Sequence, residues 1–175
     1  IGASQDDASG EDSGSAYIFD FDGESWSETA KLTPADGAER DQFGISVSLS
    51  GDRALVGSFR DDDNGLSSGS AYVFDFNGKS WSQTDKLTPE DGSAIDEFGR
   101  SVSLFGDRAL IGNYRDDVNG IASAGSAYVF DFDGTSWGET AKLTPGDGAE
   151  GDLFGISVSL SGDRALVGAY LDDAK

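Results

Sequence analysis

The side chains that could do chemistry in this chain are almost all carboxylates. The 175 residues carry 33 Asp and Glu against 12 Lys and Arg, with no His, Cys or Met. Thiolate nucleophiles, disulfides and sulfur-ligated metals are therefore excluded, along with the commonest general base and transition-metal ligand. What remains is oxygen chemistry. In the run Asp61-Asp62-Asp63-Asn64-Gly65, Asp61, Asp63 and Asn64 form part of a D-x-D-x-G arrangement. A hard cation such as calcium needs about six to eight such oxygens. Asp6-Asp7, Asp116-Asp117 and Asp172-Asp173 occupy the matching places, but Val118 replaces Asp63 and the first loop reads DDASG. Solvated or turn-capping aspartates explain this drift better than a metal does. The expectation is no cofactor, with calcium at Asp61, Asp63 and Asn64 as the one candidate.

Neighbouring carboxylates could also suggest glycoside hydrolysis, which needs a pair about 5 Å, or roughly 6.5 to 9.5 Å, apart. Adjacent residues on one loop define no such separation, and these pairs recur in every copy of a repeat. Catalytic groups are usually unique in a chain whereas structural ones repeat, so no enzymatic activity is expected and no residue is nominated as catalytic. Trp26, Trp81 and Trp137, each after a D/N-G-x-S turn, could stack on sugars. Their recurrence with the core pattern makes packing between repeats the simpler reading. Asp52-Arg53, Asp107-Arg108 and Asp163-Arg164 read as exposed local ion pairs. Phe43-Gly44, Phe98-Gly99 and Phe154-Gly155 read as sites where a backbone packs closely beside a core ring.

The elements that must position these groups come in three tandem copies. FGISVSLSGDRALVG starts at Phe43, its counterparts at Phe98 and Phe154, so the step is 55 and then 56 residues. GSAYxFDF follows from Gly14, Gly69 and Gly125, and KLTPxDG from Lys31, Lys86 and Lys142. Each copy contains four strand-like segments, in the middle copy Phe43 to Ser50, Arg53 to Phe59, Ser70 to Phe76 and Ser80 to Thr88. Turn signals at Gly51-Asp52 and Asn77-Gly78 make hairpins of them. No helical period is present. Tyr72, Val73 and Phe74 are apolar on both faces, as expected of a sheet stacked between two others. The predicted fold is all-β, with β-propeller blades of four antiparallel strands in units 1–55, 56–110 and 111–166, and a further unit starting at 167–175. Ile1-Gly2-Ala3 aligns with Val56-Gly57-Ser58. The chain therefore reads as an excerpt of a longer array, whose exposed apolar end faces call for further blades or self-association.

The phrases FGxSVSL, ALVGAY and GSAYVF resemble the FG-GAP repeat, which is known from the seven-bladed propeller of integrin α subunits and from secreted bacterial and algal proteins. The resemblance spans the whole chain and implies about six or seven blades in the complete ring. It also implies an extracellular or cell-surface protein that binds through its rim loops. On that analogy Asp61, Asp62, Asp63, Asn64, Asp116 and Asp117 are the candidate ligand-facing residues. One departure matters: the integrin calcium loop lies between the FG and GAP strands, where this chain has only Ser50-Gly51-Asp52-Arg53. The likeness is therefore to a short, calcium-free branch. A net charge of −21 disfavours nucleic acid and anionic membranes, and no apolar run is long enough to span a bilayer. IGASQDD lacks the features of a signal peptide. The expected function is a non-enzymatic extracellular binding or adhesion module for a protein or glycan. The alternatives are a structural subunit of a larger assembly and a lectin using the tryptophans.

Overall fold

The computed structural model describes residues 1–173, and among them every regular element is a strand. The first sheet holds β1 (Gly2–Ala3), β2 (Ser15–Phe21) and β3 (Trp26–Leu32). The second holds β4 (Ser46–Ser50), β5 (Arg53–Ser58), β6 (Ser70–Phe76) and β7 (Trp81–Leu87). The third repeats it as β8 (Ser101–Phe105), β9 (Arg108–Asn113), β10 (Ser126–Phe132) and β11 (Trp137–Leu143). A last pair, β12 (Ser157–Ser161) and β13 (Arg164–Gly168), closes the order. Within each sheet, strands consecutive in sequence are hydrogen-bonded neighbours and antiparallel. The sheets are blade-like, and they are offset in phase from units counted from residue 1.

Turn chemistry sets the register. Gly51 adopts a left-handed φ of 58° between β4 and β5, and the Asn77 side-chain oxygen accepts the N–H groups of Lys79 and Ser80 between β6 and β7. The β2–β3, β6–β7 and β10–β11 pairs each carry a bulge, which in the second sheet skips Thr84 and lets its hydroxyl reach Asp75 at 3.0 Å.

Because alternate residues of a strand point to opposite faces, every full sheet contributes to two cores. Ala54, Val56, Tyr72 and Phe74 pack back against Ala16, Ile18 and Leu32 of the first sheet. Leu55, Ala71, Val73 and Leu87 pack forward against Phe98, Val102, Ile111 and Tyr128 of the third. The hydrophobic core therefore lies between sheets, as the apolar run Tyr72-Val73-Phe74 required. Full burial of each Leu or Val here contributes about 2 kcal/mol.

The expected strand from Phe43 begins instead at Ser46. Phe43 leaves the strand to form a parallel bridge with Gly14 of the preceding sheet, and Phe98 and Phe154 do the same with Gly69 and Gly125. Its ring then packs edge-on against Tyr72 and Phe74, with centroids 5.4 and 5.9 Å apart. Gly44 follows at φ 89°, and a Cβ there would overlap the Ser15 carbonyl oxygen. The motif thus joins one sheet to the next.

The serines of SVSLS tie the seam as well. Ser46 Oγ donates to the Gly99 carbonyl at 2.8 Å, and Ser48 Oγ accepts the Leu104 N–H at 2.9 Å. Ser101 and Ser103 repeat both bonds toward Gly155 and Leu160.

Candidate functional site

The β5–β6 and β7–β8 connections emerge at the same end of the second sheet and are zipped together. Ile95 N–H donates to the Leu66 carbonyl at 2.8 Å, Glu97 N–H to Ser67 at 3.1 Å, and Phe98 N–H to Ser68 at 3.0 Å. This loop face carries the acidic residues singled out above.

Lys86, at the end of β7, organises them. Its ammonium lies 2.7 Å from Asp36, 2.9 Å from Asp61 and 2.5 Å from Asp63. The Tyr72 hydroxyl, beside it, donates toward Asp61 at 2.5 Å and Asp36 at 3.0 Å. Asp36 comes from the loop leaving the first sheet, so the cluster latches two sheets together. Lys142 repeats the latch with Asp91 and Asp116, each at 2.7 Å, and Tyr128 again reaches both carboxylates. In the first copy, Lys31 sits 2.7 Å from Asp6. Hydrogen bonds from Lys31, Ser15 and Tyr17 hold Asp6 down at about 2. Burial alone would lower Lys86, but its three carboxylates outweigh that and raise it. Burial, then Asp61, raises Tyr72.

Of the three residues proposed for calcium, the structure brings Asp61 and Asp63 together and sets Asp36, rather than Asn64, beside them. These three carboxylates present oxygens within 4.8 Å of one another. Asn64 instead donates its backbone N–H to Ser68 Oγ. With the Lys86 ammonium among these oxygens, the residues do not fit a calcium ion unless it displaces that charge. Asp61 and Asp116 are buried in the latches. Asp62, Asp63, Asn64 and Asp117 are exposed on the loop face, where Asp62 accepts the Ser67 N–H and Asp117 the Ser123 N–H.

The tryptophans start the outer strands and so lie at the opposite end of the sheets. Trp81 and Trp137 are each half-buried against an inter-sheet core, while Trp26 is 69% exposed beside Phe21. The Asp-Arg dipeptides do not form local pairs as expected. Arg53 binds Asp75 across the β5–β6 ladder and Asp107 in the next sheet's turn, both at 2.7 Å. Its guanidinium also covers the Phe132 and Trp137 rings at 4.5 and 5.1 Å. The reason is geometric: strand pairing and sheet stacking bring distant carboxylates closer to the guanidinium than its own neighbour.

Two features of the loop face escaped the sequence reading. The first is the lysine–tyrosine–aspartate latch, whose signal was the shared recurrence of KLTPxDG, GSAY and the acidic pairs. The second is one pair of positions where the copies diverge. The zipped pair is Glu11 with Arg40 in the first copy, Leu66 with Ile95 in the second, and Ala122 with Gly151 in the third. Arg40 and Glu11 form an ion pair at 3.5 Å. Leu66 and Ile95 are 66% and 51% exposed. The position is left-handed in every copy, at φ 71° in Arg40, 73° in Ile95 and 81° in Gly151; it is costliest for the β-branched Ile95 and free of strain for Gly151.

No curated protein matches the chain. The family model described as the FG-GAP repeat matches residues 26–74, 81–130 and 137–175. Each match runs from the outer strand of one sheet across the seam into the next, with one Phe-Gly pair at its centre, and the chain belongs to the FG-GAP repeat family.

Proposed function

We propose that this chain is a non-enzymatic, extracellular binding and adhesion module, one part of a larger propeller, and that it grips a protein partner through its loop face. Family membership supports a propeller-type binding module, and no helix of the described residues is long and apolar enough to cross a membrane. The observation that carries the reading is the Leu66–Ile95 pair. Among near-identical copies, conserved chemistry builds the latches and seams. The divergent pair projects two apolar side chains from an acidic rim, where the first copy has an ion pair and the third has Ala and Gly.

The variant Ile95→Gly separates function from folding. It removes the exposed side chain and the left-handed strain together. It should raise unfolding free energy by roughly 1 kcal/mol while weakening saturable binding to protein ligands on an extracellular-protein array by about tenfold. Binding confined to a glycan array, insensitive to Ile95→Gly and lost on Trp26→Ala, would replace this reading with a lectin.

A further inference from the structure

In a chain of net charge −21, nearly every cation on the loop face has a carboxylate within reach: Lys31, Arg40, Lys86, Arg115 and Lys142 all do. Arg60 and Arg100 do not, among the described residues. Their guanidinium carbons instead lie 5.3 and 5.5 Å from the centre of one ring, Phe59, at the seam between the second and third sheets. Two like charges, each within about 5.5 Å of one ring centre and neither paired with a carboxylate among the described residues, suit an oxyanion.

The third copy shows the same place already filled. There Glu97 accepts the Tyr114 hydroxyl and lies 3.6 Å from Arg115, the counterpart of Arg60. The residue matching Glu97 in the second copy is Gln42, and the two share a left-handed backbone, with φ of 58° and 55°. A neutral amide thus stands where the next copy supplies a carboxylate. The conjunction is also unique. The first copy has Ser4-Gln5, and Ile45 and Ile156 stand where Arg100 does.

We propose that Arg60 and Arg100, held over Phe59, bind a carboxylate of an Asp or Glu side chain on a protein partner, in the manner Glu97 binds Arg115 internally. The inference rests on the loop face being the binding face. Surrounding charge decides the source of the carboxylate. A polyuronate or other polyanion is repelled by the acidic surface, whereas one acid on a neutral or basic protein is not.

The test is a titration of the arginine Nε–Hε resonances of the full chain with the peptide Ac-Gly-Asp-Gly-NH2, using the Asn peptide as control. Saturable shifts at Arg60 and Arg100 are expected with the Asp peptide alone, with affinity about tenfold weaker in Arg60→Gln and Arg100→Gln. Gln42→Glu should compete internally and abolish the response while the melting temperature holds. Absence of saturation up to about 10 mM, a weak limit for one charged contact, overturns the proposal. So does an equal response to the Asn peptide, unchanged binding in Gln42→Glu, or tighter binding of tetragalacturonate. A protein ligand lost on Ile95→Gly yet indifferent to Gln42→Glu overturns this site and leaves the module's function standing. Peptide binding at Arg60 and Arg100 with no protein ligand found does the reverse.

Discussion

Lys86 sets one positive charge against three carboxylates, and the buried Asp61 depends on it most. Lys86→Met keeps the aliphatic stem and removes the charge. It should cost about 3 kcal/mol, the lower end for breaking a buried pair because Asp36 and Asp63 stay half-solvated. Denaturant midpoints measure it. The variant also frees the oxygens for a cation, so millimolar calcium should raise its melting temperature and leave the native chain's unchanged. A calcium response of the native chain would mean that the ammonium is displaced. Asp41 works in the other direction. Burial pushes its carboxyl up to about 6 from 3.8, while the Ala38 N–H bond only partly opposes that. A raised carboxyl favours the folded state when protonated, so its contribution is full below about pH 4 and is lost as pH rises through 6. Asp41→Asn should therefore match the native stability near pH 4 and exceed it progressively up to pH 7. Paired unfolding curves at the two pH values check the sign. Neither residue's role was legible locally: the acidic run was plain, but its counter-charge lies a strand away in the chain.

The strands were legible because alternation and turn residues act over a few positions. The seam was not. The serines of SVSLS alternate like a solvent-facing row, and only the neighbouring sheet turns them into donors and acceptors for Gly99 and Leu104. The glycines make the same distinction testable. A Cβ at Gly57 would overlap the Gly99 carbonyl oxygen and crowd Ser46 Oγ, both backed by packed backbone. Gly78, at φ 87°, has open space around it. Gly57→Ala should cost about 3 kcal/mol and Gly78→Ala about 1 kcal/mol, measured by chemical unfolding. Equal costs would mean that the seam yields more readily than the overlap implies.

At the scale of the whole molecule, the cores lie between sheets, so the outermost sheets keep apolar side chains uncovered. Phe21 and Trp26 are exposed on the first sheet, and Leu166 is 73% exposed on the last. The charge of −21 opposes the contact these faces favour. Sedimentation of the 175-residue polypeptide should show self-association that strengthens as salt screens the repulsion, and Phe21→Ser with Trp26→Ser should weaken it. A monomer at all salt concentrations would show that the exposed faces are not adhesive.

The order of residues by itself determined what short-range physics controls: strands from alternation, turns from Gly and Asn, and a repeated antiparallel unit from the period. It also narrowed chemistry to oxygen and charge, since His and Cys are absent. The tertiary structure decided which charges meet. Lys86 among three aspartates, Arg53 between two sheets, and Arg60 with Arg100 on one ring all depend on how one sheet stacks upon the next. Pairing across a seam is set by distances in space that a chain of near-identical repeats does not encode in its spacing alone.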